Sequence, residues 1–145
     1  MPSSTHQSLL LWTFRKMMVD GFLMVARDGS MPQGGAWNKL ASPPVLMGLR
    51  PDACGFDPAT GHFAFGEAKT SQDIDTVHTR RQLRVFAQLV HRLDRAACRL
   101  YLAIPRSAVN ILDRVLGETG LLGAPHVVRL HIPDCFVEEN SDELV

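Results

Sequence analysis

Long apolar runs are missing from this chain of 145 residues. None reaches the roughly 18 residues that a membrane-spanning helix needs, and this excludes a helical membrane protein. The first residues also lack the positive cluster and the small-residue cleavage site of a secretion signal. We therefore expect a cytoplasmic or otherwise intracellular protein that has no membrane partner.

Cysteine is scarce and histidine is scattered. The three cysteines are far apart and include no CxxC pair, so neither a disulfide framework nor a thiolate zinc site is indicated. The histidines include no HxxxH pair, which makes a histidine zinc site a poor expectation. With 46% hydrophobic and 21% charged residues, the composition is that of a globular domain, and this excludes a mainly disordered chain.

Net charge is also absent, because 15 basic and 15 acidic residues cancel. The charges are nevertheless placed unevenly: residues 134–145 contain five acids and no base. We expect a single domain over residues 1–133, followed by an acidic tail over residues 134–145. The remaining excess of bases would allow the domain to bind a polyanion.

The hydrophobic pattern predicts alternating helices and strands. The predicted order is helix 5–19, strand 22–26, strand 45–56 with a bend at Pro51, strand 62–69, helix 74–93, strand 98–104, helix 107–116 and strand 127–132. An apolar stripe that includes Val77 and Leu93 is expected to bury one side of the long helix. This order, α-β-β-β-α-β followed by α-β, predicts an α/β fold with a central mixed sheet flanked by helices.

A β-hairpin is predicted to bring several charged residues together. Asp52 lies on its first strand, and Glu67-Ala68-Lys69 lies on the returning strand. Because alternate strand residues share a face, Glu67 and Lys69 should point the same way, with Asp52 nearby through hairpin pairing. A solvated sheet face is the alternative, although acids are depleted in strands and this hairpin is otherwise apolar. Asp57 could replace or assist Asp52, but beside Pro58 it reads first as a turn residue.

Pro51-Asp52 followed by Glu67-Ala68-Lys69 resembles the PD-(D/E)XK nuclease superfamily, in its restriction-endonuclease-like and Holliday-junction-resolvase-like branch. A helix followed by the strand at residues 21–25, and Gln82 on the helix after the lysine, agree with this resemblance. It implies a restriction-endonuclease-like core and a Mg²⁺-dependent endonuclease that hydrolyses phosphodiester bonds. DNA is the expected substrate, recognised by its structure because no separate sequence-reading module fits in the chain.

The resemblance also implies roles for individual residues. Asp52, Glu67, Lys69 and Gln82 would be catalytic. Asp52, Glu67 and the carbonyl oxygen of Ala68 would bind Mg²⁺, which prefers hard oxygen ligands and for which Mn²⁺ can substitute. The first helix often supplies a glutamate in this superfamily, but here it has no acid before Asp20 and offers only Gln7.

Basic side chains near the motif are candidates for nucleic-acid binding. They are Arg80, Arg81 and Arg84 on the long helix and Lys39 in the irregular segment over residues 28–44. Trp37 in that segment either stacks on a base or packs into the core. A homodimer, or a place in a larger complex, would let two sites address two strands.

Two other functions stay open at this point. The chain could be a catalytically silent nucleic-acid-binding or scaffolding domain of the same fold, since a fold does not fix a function. It could also be an unrelated mixed α/β domain that binds a protein through its acidic tail. Metal binding would separate the nuclease from the last of these.

Overall fold

Helices and strands alternate along the chain in a computed structural model, which describes residues 4–28 and 35–137. The elements are α1 (Ser4–Val19), β1 (Leu23–Arg27), β2 (Ala53–Asp57), β3 (His62–Ala68), α2 (Ser71–Ile74), α3 (Val77–Ala87), β4 (Arg99–Pro105), α4 (Val109–Glu118) and β5 (Val127–Ile132). Short 3₁₀ helices span Gly35–Lys39, Arg106–Ala108 and Asp134–Phe136. None of the helices in these two stretches is long and apolar enough to cross a membrane.

The strands form one mixed sheet in the order β1-β2-β3-β4-β5. The first three strands pair antiparallel, whereas β3, β4 and β5 are parallel to one another. The predicted α/β fold with a central mixed sheet is therefore confirmed. The start of β2 and the carboxyl ends of β3, β4 and β5 meet at one end of the sheet, which we call the polar end.

Helix α1 covers one face of the sheet, and α3 and α4 share the core on the other face. Four apolar side chains of α1 are fully buried, at positions that repeat with helical spacing: Leu9, Leu10, Phe14 and Met17. The sheet residues beneath α1 are small: Ala53, Gly55, Ala64, Gly66 and Ala68. Small residues let the helix backbone approach the sheet closely, which fixes the position of α1.

The predicted strand over residues 45–56 is wrong in its first half. β2 begins only at Ala53, and residues 46–49 form a tight turn closed by hydrogen bonds between Leu46 and Leu49. Pro51 has no N–H to donate to a ladder, so regular pairing starts after it.

The predicted long helix over residues 74–93 is also wrong in extent. Thr76 interrupts it by accepting a hydrogen bond from Thr79 N at 3.0 Å, which caps the start of α3. α3 then ends at Ala87, and the chain turns back through a bridge between residues 90 and 97. As a result Val77 and Leu93, which were expected to face the core, are 84% and 98% exposed.

Two segments outside the regular elements pack against α1. The Trp37 ring lies 5.2 Å from the Phe14 ring, so the core alternative describes Trp37. Val137 is buried in the same cluster, four residues beyond the predicted domain boundary. The division at residue 133 stays a prediction, and most of the acidic tail, residues 138–145, lies outside the described residues.

Gly66 tests how closely α1 approaches the sheet. A Cβ at this position would lie 2.7 Å from Thr13 Cγ2 and 3.3 Å from Met17 Sδ, so Gly66→Ala must displace α1. We expect it to lower the free energy of unfolding by about 1–3 kcal/mol, as overpacking does. Gly117→Ala is the matched control, because no atom lies within 4 Å of its Cβ and alanine favours a helix. Urea unfolding measures both; equal stabilities for the two variants would contradict the close approach.

Candidate active site

Asp52 and Glu67 lie side by side at the polar end of the sheet. The register that pairs Ala53 with Gly66 places Asp52 opposite Glu67, one step beyond the last regular pair. Asp52 N donates to Glu67 Oε1 at 3.1 Å, and Ala68 N donates to Asp52 Oδ2 at 2.9 Å. The hairpin thus ends in side-chain hydrogen bonds, and the two carboxylates come together as the strand pattern predicts.

Glu67 is a buried carboxylate with little compensation for its charge. It is 1% exposed, and its nearest cation, Lys69 Nζ, lies 3.6 Å from Oε2. Burial raises the pKa of Glu67 well above its usual range, and the negative charge of Asp52 raises it further. The Lys69 ammonium and the Asp52 N–H act in the opposite direction but do not cancel these two effects. The site therefore favours any added positive charge.

Lys69 is fixed between β3 and α3. Its backbone N–H donates to Ala103 O on β4 at 3.0 Å. Its ammonium donates to Gln82 Oε1 and also lies beside Glu67. Gln82 is buried on the inner side of α3, so it is not a solvated helix residue. The structure thus brings together all four side chains predicted to be catalytic.

His6, near the start of α1, also belongs to this cluster, and the sequence reasoning missed it. Its Nε2 lies 3.1 Å from Asp52 Oδ2. Burial lowers the pKa of His6, but the hydrogen bond to Asp52 and the carboxylate charge outweigh burial and leave the pKa raised. The superfamily resemblance directs attention to an acid on the first helix, and this helix has none, with Gln7 as the substitute considered. His6 lies in the first turn of the same helix and is polar, which is the signal that could have identified it.

The two carboxylates are the described donor groups of this cluster that could hold a metal ion. No group of three or more His, Cys, Asp or Glu side chains within residues 4–28 and 35–137 is arranged to hold a metal. Carboxylate oxygens are hard donors, the kind of ligand that Mg²⁺ prefers. Burial and the Asp52 charge, which raise the pKa of Glu67, are both effects that a nearby cation would oppose.

The basic side chains predicted to contact nucleic acid differ in their surroundings. Arg80 is held in ion pairs with Asp75 at 2.7 Å and with Glu118 at 2.8 Å, and the pair with Glu118 ties α3 to α4. Arg81, Arg84 and Lys39 are exposed.

The segment that carries Lys39 lies towards the polar end of the sheet. Arg27 donates to the carbonyl oxygens of Trp37 and Asn38, and so holds this segment beside β1. Asp28, which follows Arg27 in the chain, donates its N–H to Asp52 O at 2.8 Å. Asp57 lies at the opposite end of β2, where its carboxylate accepts from Ala59 N at 2.9 Å, so its role is that of a turn residue.

Glu67 should make the stability of the metal-free protein depend on pH. Its pKa is higher in the folded than in the unfolded chain, so the folded state binds more protons and stability falls as pH rises above about 4.5. Glutamine does not titrate, so Glu67→Gln should remove this fall in stability with rising pH. We expect the variant to have a higher Tm than the parent at neutral pH, and this difference should shrink as the pH falls towards about 4.5.

Thermal unfolding in a chelating buffer, from about pH 5 to about pH 8, measures the effect. Glu118→Gln is the control, because Glu118 is an ion-paired carboxylate at the surface. If Tm changes with pH in the same way in the parent and in the Glu67→Gln protein, Glu67 is not the group responsible for the pH dependence.

Comparisons with known proteins give one distant likeness. No family model matches the chain, and no curated protein matches it. Among solved structures it is similar to the crystal structure of a repair endonuclease from Pyrococcus abyssi, with a TM-score of 0.44 and 13% sequence identity. The match covers 92% of this chain and 48% of that chain, so this chain spans about half the length of the endonuclease. A likeness at this level assigns neither a family nor an activity.

Proposed function

We propose that this protein is a metal-dependent nuclease that hydrolyses phosphodiester bonds, acts on DNA and selects its substrate by structure. One observation carries the proposal: a carboxylate that is 1% exposed lies beside a second carboxylate and an ammonium group at one end of the sheet. Gln82 on a separate element holds that ammonium group in place.

Stability alone gives no reason for this cluster. Moving a charge out of water is costly, and apolar residues of similar size often replace buried ion pairs with no loss of stability. A hairpin end that only had to be closed could use such residues. A buried group with a strongly shifted pKa beside other charged groups, as Glu67 is here, is typical of catalytic sites.

Asp52 and Glu67 would hold the Mg²⁺ ion, and the superfamily resemblance adds the carbonyl oxygen of Ala68. Mn²⁺ accepts the same oxygen ligands. When bound, the ion acidifies a water molecule and offsets negative charge on the phosphate. His6 has a supporting role here, because its ring fixes the orientation of the Asp52 carboxylate from the α1 side.

Lys69 would act on the phosphate and the attacking water. Its ammonium is a compact cation, and its contacts with Gln82 and Glu67 hold it on the side of the sheet where Glu67 lies. A cation that is already positioned stabilises the charge that develops on the phosphoryl oxygens without having to reorganise. Gln82 is a positioning residue in this scheme, since it acts through Lys69.

Arg81, Arg84 and Lys39 are the exposed cations proposed to contact the DNA backbone. Arg80 is less suited to this role, because two acids already neutralise its guanidinium group. A homodimer or a larger complex remains part of the proposal, because a single site cuts one strand at a time.

A catalytically silent nucleic-acid-binding or scaffolding domain is the second candidate. It is favoured by the fact that both carboxylates already accept backbone hydrogen bonds, from Asp52 N and Ala68 N. In that case the cluster would only close the hairpin. Cleavage and metal binding distinguish the two functions.

Replacing Lys69 should separate catalysis from metal binding. We expect Lys69→Ala to lower the rate of Mg²⁺-dependent DNA cleavage on the order of a hundredfold to a thousandfold, as the loss of one positioned electrostatic group does. Mg²⁺ affinity, measured by calorimetry, should stay near that of the parent, because Asp52 and Glu67 remain. Glu67→Gln should instead weaken Mg²⁺ binding itself.

Lys16→Ala is the matched control, since Lys16 also pairs with an acid, Asp20 at 3.0 Å, but near the other end of α1. The assay uses a panel of single-stranded, duplex and branched DNA and RNA. If Lys69→Ala cleaves at the parent rate, Lys69 is only an ion-pair partner. If the parent protein binds DNA but neither cleaves it nor binds Mg²⁺, the silent domain is the correct function.

A further inference from the structure

A tight turn beside the site presents an exposed methionine. Leu46 N donates to Leu49 O at 2.6 Å, and Leu49 N donates to Leu46 O at 2.9 Å, which closes the turn. Met47 and Gly48 at its tip both have positive φ, 51° and 81°. The Met47 side chain is 75% exposed, although Leu49 at the base of the turn is buried.

Methionine is an unfavourable residue at this tip. A side chain at positive φ costs on the order of 1 kcal/mol, and Gly or Asn commonly takes such positions because each tolerates this conformation. The surrounding structure nevertheless imposes the conformation, because Arg81 Nη2 donates to Met47 O at 3.2 Å and the base of the turn is anchored in the core. Backbone strain that the surroundings maintain is typical of functional segments.

The turn lies on the α3 side of the candidate site. Arg81, which holds it, directly precedes Gln82, and Gln82 contacts Lys69. Leu49 is separated from Asp52 only by Arg50 and Pro51. Arg50 and Arg81 are both exposed, and residues 43–50 contain no acid. An apolar tip is thus flanked by two cations at the edge of the site.

We propose that Met47 is a wedge that enters the base stack of DNA at a weakened step, such as a nick or branch point, beside the bond to be cut. Arg50 and Arg81 bind the phosphates on either side of it. This proposal rests on the proposed function and specifies its substrate class. Methionine is among the apolar residues that proteins insert between base steps, and unstacking costs a few kcal/mol in intact duplex but less where stacking is already broken.

The same features do not suit a protein partner. A stable protein interface needs about 800 Å² from each side. The turn and its flank expose only two large apolar side chains, Met47 and Val45, beside the charges of Arg50 and Arg81. Phosphates on either side of an opened base step match that pattern of charge.

The test measures base unstacking directly, without requiring cleavage. Branched and fully paired duplexes carry 2-aminopurine, whose fluorescence rises when it unstacks, and Ca²⁺ replaces Mg²⁺. The parent protein should raise the signal at the branch point, and Met47→Asn should abolish the rise, since Asn keeps the turn but removes the apolar tip. Met47→Leu should keep the rise in fluorescence, because leucine is also apolar.

Met18→Asn is the matched control, because Met18 is exposed on α1 about 18 Å along the helix from His6. In Mg²⁺, Met47→Asn should reduce the preference for branched over intact duplex by about tenfold, which corresponds to about 1.4 kcal/mol. The loss of preference should come mainly from a lower rate on branched DNA.

Failure of the wedge and failure of the nuclease give different results. If the parent cleaves DNA but Met47→Asn leaves both the fluorescence and the preference unchanged, the wedge is wrong and the nuclease stands. If the parent unstacks the branch point through Met47 but never cleaves, the wedge stands on a silent domain. If Met47→Asn alters only self-association in sedimentation, or if the parent binds no DNA, the wedge is overturned.

Discussion

The polar end of the sheet depends on two side-chain hydrogen bonds, from Asp52 N to the Glu67 carboxylate and from Ala68 N to the Asp52 carboxylate. Each of these two carboxylates takes part in a bond that replaces a rung of the ladder, so the charged pair is part of the hairpin itself. That arrangement buries Glu67, and burial beside a second acid keeps the site short of positive charge. The basic groups beside the two carboxylates are Lys69, which pairs with Glu67, and His6, which contacts Asp52 from α1.

The features of the site that could be predicted from sequence are those set by local geometry. Strand alternation gives Glu67 and Lys69 a common face, and hairpin register gives Asp52 its place opposite Glu67. A catalytic role for Gln82 was expected only from the superfamily resemblance, and the packing of α3 on the sheet is what brings Gln82 to Lys69. His6 could not be placed in this way, because the rotation of α1 depends on side-chain packing against small sheet residues far along the chain.

The errors in the predicted boundaries of one strand and one helix have a related cause. Apolar residues continue through 45–49 and 89–93, so hydrophobic patterning extends both elements too far. Pro51 prevents regular strand pairing before Ala53, and the cap at Thr76 separates α2 from α3. After Ala87 the chain turns back through the bridge between residues 90 and 97, a contact that hydrophobic patterning does not reveal. Arg80 shows the same limitation for charges, since its ion pair with Glu118 joins residues of separate helices that sequence spacing does not connect.

The close seating of α1 has a consequence for how this protein can change over time. Met17 and Thr13 fit against Gly55 and Gly66, and His6 lies two to three turns further along the same helix. Each residue added or removed between these points would turn His6 by about 100° about the helix axis, away from Asp52. The exposed positions of this segment can therefore accept point substitutions, whereas insertions and deletions are excluded, because the length of helix between the core and the site is fixed.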